Sequence, residues 1–133
     1  MAEFLVVGDA TVDQMYFVDA VPEPGGEITA TRAVMEPGGA GGTMATALAR
    51  LGHRTRIATR VGTGPFSELA LRNALEAGVS DALIQVDETL QTSSVTILVT
   101  PDTQRTMITA IGASRALDAS SLRADVFDGL DAL

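Results

Sequence analysis

The sequence has no cysteine, a single histidine and no long apolar run. Without cysteine, disulfides, thiol catalysis and thiolate-built zinc sites are excluded, and His53 alone cannot assemble a metal cluster. No stretch approaches the roughly 20 apolar residues that span a bilayer, and no charged segment leading into an apolar one opens the chain. The expectation is a soluble cytoplasmic protein with no membrane partner. An excess of positive charge is missing too: nine Lys and Arg stand against seventeen Asp and Glu, a net charge of -8, with the acidic residues spread along the chain. That distribution argues against nucleic acid, whose phosphates call for a basic surface. A small neutral or sugar-like ligand fits what remains.

What is present suffices for a core. A chain of 133 residues with 46% hydrophobic content fits one compact domain. Phe4-Leu5-Val6-Val7, ended by Gly8-Asp9, is a short continuous apolar run, the pattern of a strand buried on both faces of a parallel sheet. Residues Gln14 to Val21 and Glu27 to Met35 flank the turn Pro22-Glu23-Pro24-Gly25-Gly26 and read as a hairpin too polar for the core. After Pro37-Gly38-Gly39-Ala40-Gly41-Gly42, the spacing of Met44, Ala45, Leu48 and Leu51 predicts a helix from Thr43 to Leu51 with Gly52 at its end. Arg54 to Val61 alternates as a strand. Ser67 is placed to cap a helix running to Ala77, with Leu71, Ala74 and Leu75 inside and Gly78 as its stop.

Ala82 to Val86 reads as a further core strand, and Ser93 to Thr100 with Arg105 to Ile111 as a second hairpin around Pro101-Asp102-Thr103-Gln104. From about Asp118 the pattern turns helical. Alternating strands and helices argue for an open α/β sheet with right-handed crossovers, and the two hairpins are additions suited to a lid.

The glycine cluster at 38 to 42 leaves bare backbone before a helix N-terminus, where free N–H groups can meet an anion or a sugar oxygen. It is not a Walker loop, since no Lys-Ser or Lys-Thr pair follows, and it lies too far from the first strand for a dinucleotide fingerprint. From spacing alone it is equally a hinge without a ligand. Asp9 and Asp13 follow the first strand, at the carboxyl end where open α/β sheets place their ligand crevice, and a carboxylate there can accept two hydroxyl hydrogen bonds. Asp9 reads more simply as a turn cap. By composition Arg105 is a solvated strand residue, His53 an exposed helix-end residue, and Met35, Met44 and Met107 packing residues.

Gly8-Asp9 with Asp13, Pro37-Gly38-Gly39, Ala47-Leu48-Ala49-Arg50-Leu51-Gly52, Val61-Gly62, Leu75-Glu76-Ala77-Gly78-Val79, Gln104-Arg105-Thr106 and Gly112-Ala113, taken in order, resemble the ribokinase-like (PfkB) carbohydrate kinases. The resemblance implies an α/β fold, a doubly wound and mainly parallel sheet with a small β-hairpin lid formed by segments of about 14–36 and 93–111. It makes residues 1–133 the N-terminal substrate-binding portion, with an ATP-binding C-terminal portion lying outside them. Carried over, Asp13 is the aspartate that binds sugar hydroxyls, and Thr11, Thr43 and Arg105 are neighbouring contacts. Gly38 and Gly39 are the di-glycine hinge whose backbone touches the sugar.

The activity implied is transfer of the ATP γ-phosphate to a hydroxymethyl group of a sugar or nucleoside-like molecule, with ATP and Mg2+ as cofactors and a homodimer formed through the lid. Lid closure would keep water from competing for the phosphoryl group. No residue here is expected to hold ATP or metal. Thr43 stands where the family commonly has asparagine; Gly64, Ser67 and Ser114 also depart from its pattern. The family's Gly-Ala-Gly-Asp motif, which carries the catalytic base, does not occur in these residues. A second reading is therefore a non-catalytic sugar-binding or dimerisation half, and a third, a dehydrogenase half, is disfavoured by the glycine spacing.

Overall fold

Period-two and period-3.6 segments alternate along most of the chain, and the structure follows them. The computed structural model describes residues 1–133, in the order β1 (Glu3–Val7), β2 (Thr11–Phe17), β3 (Arg32–Gly38), α1 (Ala40–Arg50), β4 (Arg54–Val61), α2 (Pro65–Glu76), β5 (Ile84–Val86), β6 (Ser94–Val99) and β7 (Arg105–Ala110). Three short 3-10 turns complete it at Ala113–Ala116, Ala119–Ser121 and Ala124–Phe127.

The strands form two sheets. In the first, β4 lies between β1 and β5 and pairs in parallel with both, with Val6 opposite Ile57 and Val61 opposite Val86. Helices α1 and α2 cover one face of it, and two apolar clusters form there, Ile57 with Ala45, Ala74 and Val79, and Val61 with Ala10, Val12, Ala70 and Leu71. Leu5 is fully buried, but Val7 is half-exposed, so the opening strand is not enclosed on both faces as expected.

The second sheet has the order β3-β2-β6-β7. The two hairpin-like segments read from the sequence are antiparallel pairs, β2 with β3 and β6 with β7, and they merge through a parallel pairing of β2 with β6 that sets Val12 opposite Ser94. The first pair is shifted from its expected position. It spans Thr11–Phe17 and Arg32–Gly38, and residues 18–31 form a long connection in which Gly26 N–H donates to Glu23 O. Thr11 and Val12 are buried, so the start of β2 belongs to the core rather than to a polar excursion.

Helix α1 begins three residues before the expected Thr43, and close packing explains why. A Cβ on Gly41 would lie 2.7 Å from Gly8 C and 2.8 Å from Asp9 O, so glycine lets the helix start against the end of β1. This contact sets the helical phase. Gly41, Gly42, Ala45 and Thr46 face inward, and Met44 and Leu51, expected inside, are exposed.

Helix α2 starts at Pro65, whose fixed φ suits a first helical position. Ser67 is not its cap; its hydroxyl donates back to Gly64 O at 2.7 Å. Leu75, expected inside with Leu71 and Ala74, is 43% exposed. Gly52 and Gly78 both end their helices at φ +88°, as expected. β5 is shorter than read, starting at Ile84. The region after Asp118 forms 3-10 turns instead of a helix: Asp118 caps Ser120 N–H at 2.9 Å, and no residue of the last two turns is buried, so no apolar stripe holds a longer helix in place. No helix is long and apolar enough to cross a membrane.

Candidate active site

The four-stranded sheet, Asp9 and the start of α1 bound an open cleft of about 640 Å³. All six residues singled out from the sequence line it: Thr11, Asp13, Gly38, Gly39, Thr43 and Arg105. β2 delivers Thr11 and Asp13, the end of β3 delivers Gly38, and Gly39 turns the chain into α1.

Each local feature has a packing cause. Gly38 sits opposite Thr11 at the end of the β2–β3 ladder, and a Cβ there would lie 2.6 Å from Asp13 Oδ2. The bare backbone of Gly38 is therefore the surface against which the carboxylate rests. Thr11 Oγ1 donates to Asp13 Oδ1 at 3.1 Å, fixing that oxygen, and no other hydrogen bond from the chain engages the carboxylate. Gly39 has φ +85°, and a Cβ on it would lie 2.7 Å from Asp9 O. No other residue type takes that conformation and that approach without strain.

Asp9 is not a local turn cap. Its Oδ1 accepts the N–H of Gly41 at 3.3 Å, and its carbonyl accepts that of Gly42 at 2.9 Å, so it ties the start of α1 to the end of β1. A carboxylate at a helix N-terminus is favourably placed in the helix field.

Beside Asp13 the same sheet becomes apolar, with Val95 as its direct neighbour across the β2–β6 pairing. Val95 and Ile97 of β6 and Met107 of β7 line the cleft alongside Arg105, with Ile97 opposite Met107 across the pair. Sequence reading missed Val95 and Ile97 and took Met107 for ordinary packing, because alternation in a strand names two faces without saying which one meets a ligand. The cleft thus offers a carboxylate and hydroxyl on one sheet, apolar side chains and one guanidinium on its neighbouring strands, and bare backbone with a helix N-terminus at its edge. That set suits a polyol, whose hydroxyls need acceptors and donors and whose ring carbons can rest on apolar side chains.

The profile of the pfkB family carbohydrate kinases matches residues 1–130. The chain belongs to the pfkB family. Among its relatives is a fructokinase of Escherichia coli, 36% identical over 96 residues that make up 72% of this chain and 28% of that protein. Among solved structures, a ribokinase of Arabidopsis thaliana complexed with ribose and ATP has the same fold, with a TM-score of 0.79 at 24% identity over 84% of this chain and 36% of that one. A nucleoside kinase of Burkholderia thailandensis in complex with inosine gives a TM-score of 0.71 at 20% identity, over 84% of this chain and 36% of that one. The chain therefore spans about a third of the length of these pfkB-fold kinases.

Other features of the pfkB resemblance have structural roles. Gly112 packs so closely on the 91–93 segment that a Cβ would lie 3.3 Å from Ser93 N, and its N–H donates to Ser93 Oγ at 3.0 Å. Ser114 shares a 2.6 Å hydrogen bond with that same Ser93 hydroxyl, and Ala113 is fully buried. Gly62 N–H donates to Thr92 Oγ1 at 3.0 Å. His53 is part-buried, accepts Ala2 N–H at Nδ1 and stands edge-on to Phe4 at 5.2 Å, which makes it a brace for β1 rather than an exposed helix end. Nowhere do three or more His, Cys, Asp or Glu side chains converge on a metal-sized site.

Proposed function

We propose that this chain carries the acceptor side of a carbohydrate kinase reaction, transfer of the ATP γ-phosphate to a hydroxymethyl group of a sugar or related small molecule. The observation that carries the reading is the convergence of Asp13, Thr11, Gly38, Gly39, Thr43 and Arg105 on one cleft in a pfkB-family chain. Asp13 Oδ2 and Oδ1 accept hydrogen bonds from acceptor hydroxyls, and Thr11 keeps the carboxylate in register. The backbone at Gly38 and Gly39 approaches the acceptor where a side chain would block it. Thr43 contributes a hydroxyl, and Val95, Ile97 and Met107 pack against the ring.

The four-stranded sheet acts as the lid. By closing over the acceptor it excludes water from the phosphoryl group. In this reading ATP and Mg2+ are the cofactors, the ATP complex of the related ribokinase supports ATP, and none of the residues named above is assigned to either. What these residues supply is positioning, one of the requirements of phosphoryl transfer beside charge neutralisation and a base.

The test is Asp13→Ala in the full-length kinase, with kcat/KM for the acceptor and KM for ATP measured together. Loss of charge-assisted hydrogen bonds worth about 1.5–3 kcal/mol each is expected to lower the acceptor kcat/KM by at least ~10-fold and to leave the KM for ATP unchanged. Unchanged acceptor kinetics would overturn the assignment.

A further inference from the structure

A second, smaller chamber of about 250 Å³ lies beside the cleft, between α1, α2 and the end of β3. Its polar lining is Thr43, Thr46, Arg50 and Asn73, and no acidic side chain reaches it. The Thr46 hydroxyl donates to Gly42 O at 2.7 Å. Arg50 belongs to none of the four ion pairs of the chain, and neither its guanidinium nor the Asn73 amide has a hydrogen-bond partner in it. The exposed guanidinium of Arg50 and the half-buried amide of Asn73 therefore face one polar space without an acceptor from the chain.

The chamber and the cleft share Pro37, Gly38, Thr43 and Ala47, so they abut along a common wall. On the α1 side that wall is a ridge of two short, exposed side chains one helical turn apart, Thr43 and Ala47. Such a ridge leaves the two spaces in communication. Arg50 sits in the last turn of α1, whose carbonyl end disfavours an anion by itself; the guanidinium offsets that field and forms a fork suited to a carboxylate or phosphate.

We infer that this chamber is an anion subsite that receives a negatively charged substituent, carboxylate or phosphate, of an acceptor seated in the neighbouring cleft. The inference rests on the acceptor reading of that cleft, and its test is built so that the two can fail separately.

The full-length protein is titrated with sodium phosphate at constant ionic strength, while the Arg50 side-chain N–H and the Asn73 side-chain amide are followed by NMR. Saturable shifts at both groups are expected, with affinity falling at least tenfold in Arg50→Gln. Absence of saturation at these groups, or the same affinity in a folded Arg50→Gln protein, overturns the subsite.

A second arm separates a substituent from a free ion. Fructose 6-phosphate, ribose 5-phosphate and gluconate are titrated in parallel with inorganic phosphate. At least one is expected to bind tenfold more tightly than phosphate and to lose that advantage in Ala47→Leu, which raises the ridge. If none exceeds inorganic phosphate, the chamber serves a free ion and the inference fails. Asp13→Ala tests the acceptor reading alone: if the advantage of the joined ligand survives it, the cleft assignment fails while the anion contacts of Arg50 stand.

Discussion

The carboxylate of Asp13 occupies the space that a side chain on Gly38 would need: a Cβ built there would lie 2.6 Å from Asp13 Oδ2. The two residues are one unit, although the rest of β2, the long 18–31 connection and most of β3 separate them in the sequence. Gly38→Ala must therefore push the carboxylate away from its Thr11 partner. A fall of at least ~10-fold in acceptor kcat/KM is expected, comparable to removing a charge-assisted hydrogen bond, with a much smaller change in stability because the cleft is open. Steady-state kinetics beside a thermal melt of the same variant checks this.

Gly39 is expected to behave differently. Alanine there meets both a left-handed backbone at φ +85° and the carbonyl of Asp9, so the cost falls on the fold as well as on the site. A loss of about 1–3 kcal/mol is expected for a strained non-glycine residue of this kind. Denaturant unfolding of Gly39→Ala measures it; a midpoint equal to wild type would contradict the described geometry.

Acid should loosen the loop after β5 through Asp87. The N–H of Leu90 and the hydroxyl and N–H of Thr89 all donate to its Oδ1 at 2.8 Å, and Arg60 pairs with Oδ2 at 2.8 Å. Leu90 and Thr89 chiefly, with Arg60 adding to them, hold this carboxyl far below its ordinary value of 3.8. A depressed folded-state pKa contributes stability above the unfolded value and loses it as pH falls below that value. Asp87→Asn is therefore expected to be less stable than wild type at neutral pH, with the gap narrowing as pH drops below about 4. Melting temperatures at a series of pH values read this out; a gap that widens on acidification would contradict it.

All six residues of β7 are exposed, and its outer edge pairs with no strand. Ile108, 64% exposed, lies on the face opposite the cleft-lining Met107. An open edge beside exposed apolar residues is a template for pairing with a second copy. Concentration-dependent association is expected in light scattering, and Ile108→Lys is expected to weaken it. A wild-type protein that stays monomeric at high concentration would speak against a lid-mediated dimer.

Residues whose environment is set by neighbours in sequence were legible from the start. The helix ends at Gly52 and Gly78, the strand Arg54–Val61 and the turn before Arg105 all lie where local pattern puts them. Relations fixed by tertiary contact were not legible. The phase of α1 depends on Gly41 touching the end of β1, which no helical periodicity reveals, and so Met44 was assigned to the wrong side. Asp9 looked like a turn cap because its partner, Gly41, is far along the chain. The polar face of the site was named in advance through the family resemblance, whereas its apolar wall depended on which strand face turns toward α1.

The parallel pairing of β2 with β6 has a kinetic consequence. Val12 meets Ser94 across the sheet, although α1, β4, α2 and β5 all lie between them in the chain. Contacts so distant along a chain form slowly, because loop closure must come before they stabilise anything. During synthesis, Asp13 and Gly38 leave the ribosome long before β6 and β7, the strands that complete their sheet. The cleft is thus among the last features of residues 1–133 to assemble, and a chain arrested before Ser94 would carry Asp13 without its apolar neighbours.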